Sequence, residues 1–289
     1  MPLFSIIIPT FNRAHTIGNT LKSVYAQSFR DFEVIVVDDG SVDNTSEAVQ
    51  HYIQENHLTY LFKENGGVAT ARNTGASKAS GDYLIFLDSD DTVSDTWLQD
   101  YAHVLESARH DLIYCSIRRL YPDGGVQVTD ASNPFGNGQE IGNVIPGSFC
   151  VVKVLFEKVG GYDAALAYSE NTELGFRLKN ETASIAVVNN ANLIYHVSDN
   201  GHASNWQNRQ HAMLYILEKH QSFFSRNLPL KKRYLTIAGV ASMHIGQILV
   251  ARQCFLKAWK LSITDYQSCL RYIAAHSQWL AGKIWRLAN

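Results

Sequence analysis

Five apolar residues lead directly into four polar, mostly acidic ones in the stretch Tyr83-Leu84-Ile85-Phe86-Leu87-Asp88-Ser89-Asp90-Asp91. A short apolar run of this kind is typical of a strand that is buried on both faces of a sheet. Because side chains alternate along an extended chain, Asp88 and Asp90 are expected on the same side. The stretch therefore predicts a buried strand with two carboxylates at its carboxyl end.

Similar apolar runs alternate with helical patterns through the first half of the chain. They cover residues 4–8, 32–37, 58–62 and 112–117, and helices are expected after Asp43-Asn44 and Ser94-Asp95. Two later short strands are expected at residues 185–188 and 193–197. Strands that alternate with helices predict an α/β fold in which helices cover a largely parallel sheet.

The composition excludes several classes of protein. The 289 residues are 46% hydrophobic and 18% charged, which supplies a core and argues against a disordered chain. The net charge of −2 argues against a globally basic nucleic-acid-binding protein. The four cysteines have no C-x-x-C spacing, so neither a zinc site nor a disulfide framework is predicted. The N-terminus has no basic signal region, so the sequence predicts a cytoplasmic protein.

The charge is unevenly distributed along the chain. Residues 229–289 contain nine of the 25 Lys and Arg residues but one of the 27 acidic residues, so this segment carries +8 and residues 1–228 carry −10. The pattern after Pro229 is helical and includes three of the five tryptophans. We expect two domains, over residues 1–205 and 206–289, the second basic from residue 229. Basic residues beside Trp suit peripheral contact with an anionic membrane, and a helical cap or a homodimer contact is the alternative.

Three polar clusters are expected at the carboxyl ends of strands, where open parallel sheets bind ligands. The clusters are Pro9-Thr10-Phe11-Asn12-Arg13, Asp38-Asp39-Gly40-Ser41 and Asp88-Ser89-Asp90-Asp91. Asp88 and Asp90 can share a divalent cation whose coordination a diphosphate completes, or these acids merely cap the helix near Asp95. Asp39 accepts hydrogen bonds only, so it suits a base with a ring N–H, such as uracil, thymine or guanine. Helix capping is again the alternative.

A glycine pair begins another expected helix, in the stretch Gly66-Gly67-Val68-Ala69-Thr70-Ala71-Arg72-Asn73-Thr74-Gly75. Small residues let the chain approach a ligand closely, and Arg72, expected about two turns into the helix, can reach a phosphate. The alternative is that the glycines only form a turn.

These motifs, in this order, resemble the family 2 glycosyltransferases with the GT-A fold. The resemblance covers residues 3–200 and is carried by Ser5-Ile6-Ile7-Ile8-Pro9-Thr10-Phe11-Asn12-Arg13, by Gln27-Ser28-Phe29-Arg30-Asp31-Phe32-Glu33 leading to Val37-Asp38-Asp39-Gly40-Ser41, by residues 66–75 and 83–91, and by Gly160-Gly161-Tyr162-Asp163 and Ser169-Glu170-Asn171. It implies a GT-A, Rossmann-like, mixed and mostly parallel sheet flanked by helices, with a C-terminal helical appendage. It also implies inverting transfer of a sugar from a UDP-sugar to an acceptor hydroxyl, in a glycan or a lipid-linked glycan of a surface polysaccharide, with Mn²⁺ or Mg²⁺ as cofactor.

The resemblance also implies roles for individual residues. Asp39 would bind the uracil N–H, and the nucleotide-binding set is Pro9, Thr10, Phe11, Arg13, Asp39, Arg72, Asp88 and Ser89. The metal-binding set is Asp90, Asp91 and His196, with His202 as the second choice among the histidines.

One position departs from the family pattern. Where such enzymes carry Glu-Asp, with the Asp as general base, this chain has Glu170-Asn171. An amide cannot accept the acceptor's proton, and a missing base costs on the order of 10²–10⁴ in rate. Either Glu170 supplies the base, or the chain is an inactivated variant, or it binds a sugar nucleotide without efficient transfer. The sequence also predicts that Glu173 and Arg177, four residues apart on a helix, form a surface pair.

Overall fold

The structure, a computed structural model, describes residues 1–56, 58–132, 144–197, 205–263 and 266–275. His202 and the predicted helical stretch beyond residue 275 lie outside the described residues. The strands are β1 (Phe4–Thr10), β2 (Phe32–Asp38), β3 (Thr59–Phe62), β4 (Tyr83–Phe86), β5 (Thr92–Val93), β6 (Leu112–Leu120), β7 (Val126–Thr129), β8 (Phe149–Val152) and β9 (Ile185–His196). The helices are α1 (Ile17–Tyr25), α2 (Thr45–Asn56), α3 (Val68–Lys78), α4 (Trp97–Ser107), α5 (Lys153–Lys158), α6 (Glu170–Glu181), α7 (Trp206–Lys219), α8 (Gln221–Arg226), α9 (Leu228–His244), α10 (Ile248–Lys260) and α11 (Tyr266–Ala274).

The strands form one mixed sheet in the order β3-β2-β1-β4-β8-β6-β9-β5, and β7 pairs with β6. Strands β3, β2, β1 and β4 run parallel to one another. Strand β8 is antiparallel to both of its neighbours, β4 and β6, whereas β6 and β9 are parallel. The α/β fold predicted from the alternating patterns is confirmed.

Strand β1 explains why the sheet needs helices on both faces. All seven of its residues are buried. Ile6 and Ile8 pack in one hydrophobic cluster with Trp97, and Ile7 packs in a second cluster with Phe86. Successive side chains of a strand point to opposite faces, so the two clusters lie on opposite sides of the sheet. The continuous apolar run in the sequence reflects this two-sided burial.

The prediction of two separate short strands after residue 184 is wrong, because one strand, β9, covers Ile185–His196. The asparagines in its middle resemble a turn in the sequence, but Asn190 and Asn192 donate hydrogen bonds to Asp100 Oδ2 at 2.9 and 2.8 Å. Ser94 also donates to Asn192 Oδ1 at 2.7 Å. These bonds satisfy the polar side chains within the fold, so the strand continues with only an irregularity in its register opposite β6.

The described residues form two compact units. The first contains residues 1–56, 58–132, 144–165 and 170–197, and the second contains 166–169, 205–263 and 266–275. Helices α7 to α11 belong to the second unit. No sequence pattern indicated that residues 166–169 group with these helices, and the division at residue 205 stays a prediction. Within the described ranges, no helix combines the length and the apolar character needed to cross a membrane.

Candidate active site

The loops after β1 and β2 are tied together at one edge of the sheet. The backbone N–H of Asp39 donates to the carbonyl of Thr10 at 2.9 Å. Ser41 Oγ accepts from the backbone N–H of Asn12 at 2.8 Å, and Asn12 Oδ1 accepts from Val42 at 2.9 Å. Asn12 has a left-handed backbone, with φ of 53°, a conformation that Asn adopts more readily than most residues. The two polar clusters predicted at these strand ends therefore lie together.

Phe11 projects from this edge. Its side chain is 43% exposed, although Thr10 before it is buried. Thr10 Oγ1 is buried and has no hydrogen-bond partner among the described residues. The exposed aromatic face of Phe11, next to the unpaired Thr10 hydroxyl, is suited to stack on a flat ring, as expected for a base-binding surface.

Asp39 receives hydrogen bonds from the turn that precedes α3. Gly66 donates to Oδ1 at 3.0 Å, and Gly67 donates to Oδ2 at 2.7 Å. Lys63 Nζ also donates to Oδ1. Gly67, with φ of 88°, needs the left-handed conformation that glycine adopts without strain. Since a carboxylate offers about four acceptor sites, Oδ2 keeps one for a further donor such as a ring N–H.

Arg72 lies just over one turn into α3, since the helix begins at Val68, and not two turns in as expected. Its side chain is 2% exposed. It donates to Asp88 Oδ1 at 2.6 Å and to Glu170 Oε1 at 2.9 Å, and it lies 5.0 Å from the centre of the Tyr162 ring. Burial acts to lower the pKa of Arg72, but Asp88, Tyr162 and Glu170 outweigh it and raise the pKa. The guanidinium is therefore a fixed positive charge.

Asp90 and Asp91 differ in exposure. Asp90 is 41% exposed at its side chain and lies 3.4 Å from Arg13 Nε. Asp91 is buried, and its Oδ1 accepts the backbone N–H of His196 at 2.8 Å. Burial and then the charge of Asp88 raise the pKa of Asp91 to about 9. Asp91 Oδ2 is buried and has no partner among the described residues. A buried carboxylate oxygen of this kind favours a cation, which would offset the cost of its charge.

The ring of His196 faces another partner. Its Nε2 lies 3.0 Å from Thr92 Oγ1, and only its backbone contacts Asp91. Within the described ranges, no three His, Cys, Asp or Glu side chains lie close enough together to hold a metal ion. A protein that binds Mg²⁺ with a nucleotide commonly supplies one or two carboxylates, and the phosphates supply the rest. Asp90 and Asp91 fit such a partial site.

Glu170 and Asn171 begin helix α6 beside Arg72. Asn171 Nδ2 donates to Glu170 Oε1 at 2.8 Å, and Asn171 Oδ1 accepts from Arg72 at 3.3 Å. Glu170 is 8% exposed. Arg72 and Asn171 both donate to Oε1 of Glu170. Its second oxygen makes no hydrogen bond among the described residues.

The predicted surface pair of Glu173 and Arg177 is wrong, because Glu173 is fully buried. Arg177 donates to Glu173 Oε2, and it also donates to the carbonyls of Val159 and Gly161 at 2.5 and 2.6 Å. These carbonyls lie in the turn before Tyr162, the ring against which Arg72 packs. Arg177, paired with Glu173, therefore holds the turn that precedes Tyr162, and Tyr162 packs against Arg72. The spacing of four residues predicted the contact between Glu173 and Arg177 but not its burial. Spacing alone does not show which buried carbonyls need a hydrogen-bond donor.

Comparison with known proteins identifies the family. The sequence profile described as "Glycosyl transferase family 2" matches residues 5–150, half of the chain. The chain belongs to glycosyl transferase family 2. A relative from Rickettsia prowazekii (strain Madrid E), named "Uncharacterized glycosyltransferase RP339", is 29% identical to this family member over 189 residues, which are 61% of this chain and 58% of the relative. The family 2 chain thus spans less than two thirds of the length of this relative.

Two solved structures have the same fold as this family 2 protein. S. aureus TarS 1–349, in complex with UDP-GlcNAc, has a TM-score of 0.65 at 20% identity, with 98% of this chain and 92% of that chain covered. The mannosyltransferase PcManGT from Pyrobaculum calidifontis, in complex with GDP-Man and Mn²⁺, has a TM-score of 0.60 at 18% identity, with 97% and 86% covered. The GT-A fold predicted for the family 2 chain is confirmed.

Sequence reasoning missed three residues that support this family 2 site. They are Lys63 beside Asp39, Tyr162 beside Arg72, and Arg177 below Tyr162. Tyr162 belongs to the motif Gly160-Gly161-Tyr162-Asp163, which indicated that this segment matters, but the motif did not predict the contact of Tyr162 with Arg72. Lys63 gave none, because a single Lys after a strand is usually exposed to solvent.

Proposed function

We propose that the protein is an inverting glycosyltransferase that moves a sugar from a UDP-sugar to an acceptor hydroxyl of a glycan or lipid-linked glycan. The observation that carries this proposal is the position of Arg72, which pairs with Asp88 on one side and with Glu170 on the other. One buried cation thereby joins the predicted nucleotide-binding side chain to the candidate base. The nucleotide-sugar complexes of TarS and PcManGT support a sugar-nucleotide donor.

The nucleotide would bind across the three strand ends. Phe11 offers a stacking face for the base, and Oδ2 of Asp39 offers an acceptor for the N–H of uracil. Arg13 and Arg72 supply positive charge toward the diphosphate, with Pro9, Thr10, Asp88 and Ser89 forming the rest of the predicted set. Lys63 pairs with Asp39 through Oδ1, so Oδ2 remains the oxygen proposed to meet the base.

Asp90 and Asp91 would hold Mn²⁺ or Mg²⁺ together with the diphosphate. Asp91 Oδ2 is buried without a partner among the described residues, and Asp90 is exposed enough to be reached. When bound, the cation supplies screening of the negative charge on the leaving diphosphate. The Mn²⁺ complex of PcManGT supports this assignment, whereas the ring of His196 is engaged by Thr92 and is the weakest member of the predicted metal set.

Transfer requires one proton to leave the acceptor. Glu170 takes the hydroxyl proton on its free oxygen as the acceptor oxygen forms a bond to the anomeric carbon. The bond from that carbon to the diphosphate oxygen breaks, and its electron pair leaves with UDP. Attack from the opposite face inverts the configuration. Asn171 acts as a positioning residue, because its amide donates to Oε1 of Glu170 and leaves the other oxygen without this bond.

A second candidate is a sugar-nucleotide-binding protein without efficient transfer. Asn171 favours it, since the family pattern has an Asp at this position and an amide cannot act as a base. Turnover separates the two functions. UDP release is measured with a panel of UDP-sugars and acceptors for the wild-type chain, Glu170→Gln and Asn171→Asp. UDP release by the wild type that is lost in Glu170→Gln supports the transferase. Tight UDP binding with no release in any of the three supports the binding protein.

A further inference from the structure

Helix α11 exposes an apolar stripe, which we define as Tyr266, Leu270 and Ile273. These side chains are 69%, 57% and 51% exposed. Spacings of four and three residues place them on one face of the helix. Ile263, just before the helix, is 77% exposed as well. Apolar side chains that are exposed together on one helix face are typical of a surface that binds another protein or a membrane.

The remainder of α11 packs within its own unit. Ser268 and Ala274 are buried, and Tyr272 packs against the cluster of Ala251, Phe255 and Ala275. Arg252 from α10 donates to the carbonyl of Ala275 at 2.9 Å, which satisfies one of the backbone acceptors at the end of α11. The helix is therefore fixed through one side, and the apolar stripe on the other side is available to a partner.

The segment that contains the apolar stripe is strongly basic. Residues 229–275 contain one acid, Asp265, which lies outside the described residues, and seven cationic residues, which are Lys231, Lys232, Arg233, Arg252, Lys257, Lys260 and Arg271. Lys257 and Lys260 on α10 are exposed, and Arg271 lies on α11 itself. A partner that covers the stripe therefore meets a segment with a large excess of positive charge, seven cationic residues against one acid.

We infer that the apolar stripe of α11 docks on the surface of an anionic lipid bilayer. Apolar side chains enter the boundary between headgroups and acyl chains, while Lys and Arg pair with lipid phosphates. A second copy of the chain fits less well, because a two-fold symmetric contact brings the same positive surface against itself.

The inference rests on the proposed function in one respect: membrane docking has a role in the reaction if the acceptor is lipid-linked. Membrane docking would bring the transferase to an acceptor that is confined to the bilayer. The test uses no nucleotide, so its failure is separable from failure of the donor site. UDP affinity measured on the same variants shows whether that site is intact.

The experiment is cosedimentation of the full chain with vesicles of phosphatidylcholine, with and without phosphatidylglycerol. We expect binding to the vesicles that contain phosphatidylglycerol, weakened by salt. The double variant Leu270→Ser/Ile273→Ser should weaken it by at least about tenfold, because two half-exposed aliphatic side chains are lost from the contact. Lys257→Gln/Lys260→Gln should weaken binding and reduce its dependence on salt.

The matched control is Val126→Ser/Val128→Ser on strand β7, whose valines are 61% and 59% exposed. This control removes a similar exposed apolar surface from the other unit and should bind vesicles as the wild type does. Equal loss in both double variants, or equal binding to neutral and anionic vesicles, would overturn the inference. A dimer that sedimentation velocity detects and that Leu270→Ser/Ile273→Ser dissociates would assign the stripe to a second copy instead.

Discussion

The amide nitrogen of Asn171 lies 2.8 Å from Oε1 of Glu170, the same oxygen that Arg72 contacts at 2.9 Å. An Asp at position 171 has no hydrogen to donate at neutral pH, so it would place a second carboxylate against Glu170. The amide is therefore part of the local hydrogen-bond network and not merely a carboxylate that has been lost. Substitutions at Glu170 and Asn171 test the role of this contact.

Glu170→Gln should lower kcat for UDP release by about 10²–10⁴, because it removes the proposed base while keeping the size and a hydrogen-bonding oxygen of the side chain. Isothermal titration with UDP serves as the control for an intact donor site. In Asn171→Asp/Glu170→Gln, a return of turnover would show that an Asp at position 171 can act as base. Wild-type turnover in Glu170→Gln alone would remove Glu170 from the mechanism.

Arg72→Met should destabilise the protein by about 3–5 kcal/mol, because it leaves the buried Glu170 carboxylate without its cation. Arg72→Lys should recover only part of this loss, since an ammonium cannot bridge Asp88 and Glu170 as the planar guanidinium does. Urea unfolding measures both. Arg109→Met is the matched control, as its pair with Asp82 is 76% and 46% exposed and should be worth about 0–1 kcal/mol. Equal losses for Arg72→Met and Arg109→Met would contradict the importance of burial.

Asp90→Ala should abolish the part of UDP affinity that depends on Mn²⁺, because it removes the exposed carboxylate of the proposed cation site. Calorimetry with and without Mn²⁺ measures the difference. Asp95→Ala removes an exposed carboxylate from the same polar segment and should leave the Mn²⁺ dependence in place. Unchanged Mn²⁺ dependence in Asp90→Ala would rule out this residue as a ligand.

Gly75→Ala should cost about 1–3 kcal/mol of stability, because a Cβ there would overlap Ile7 Cγ2 and lie 3.2 Å from Val37 Cγ2 in the buried core. Gly18→Ala is the contrasting variant. A Cβ at Gly18 meets nothing within 4 Å. Gly18→Ala should raise the free energy of unfolding by up to about 1 kcal/mol, because alanine loses less conformational freedom than glycine when α1 folds. Thermal unfolding of the two variants should give shifts of opposite sign, and shifts of the same sign would contradict the packing argument.

The second unit should lose stability as the pH falls below about 6.5. Burial, and then Arg209, lower the pKa of His244, whose ring stacks on Trp206 at 3.8 Å. Because the folded state binds the proton less readily than the unfolded state, stability is complete above the unfolded pKa and declines as the pH falls toward the folded pKa. Trp fluorescence during unfolding at pH values from about 8 to 5 measures this. His244→Phe keeps the stacked ring and should flatten the decline, and an equal decline in that variant would assign the dependence to other groups.

The sequence predicted those parts of the site that depend on local pattern. Apolar runs located β1, β2 and β4, and parallel strands bring their carboxyl ends to one edge, so the neighbourhood of Asp39 and Arg13 could be anticipated. The glycine pair predicted that a helix begins in this stretch, and α3 begins at Val68, directly after the pair. Contacts between residues far apart in the chain could not be anticipated in this way. Arg72 and Glu170 are 98 positions apart, and their pairing depends on packing that no local pattern encodes.

Burial was likewise only partly predictable. Glu173 has the spacing of an exposed helix pair, yet it is fully buried beside Arg177, which two backbone carbonyls hold in place. Asn190 and Asn192 have turn composition, yet Asp100 satisfies both amides within a strand. In both cases a polar partner decides the outcome, because a polar side chain can be buried once its hydrogen bonds are met.

Strand β8 has a consequence for the order in which the chain can fold during synthesis. It lies between β4 and β6 but comes after both of them in the chain, so a nascent chain that has not yet reached Val152 has a gap in the middle of its sheet. Until then, the edge of β4 has unpaired backbone groups beside residues that are buried in the finished fold. Asp88 comes two residues after β4, so the loop that carries the acidic cluster gains a rigid base only when β8 is inserted. The nucleotide site is therefore completed only after the strand in the middle of the sheet is in place.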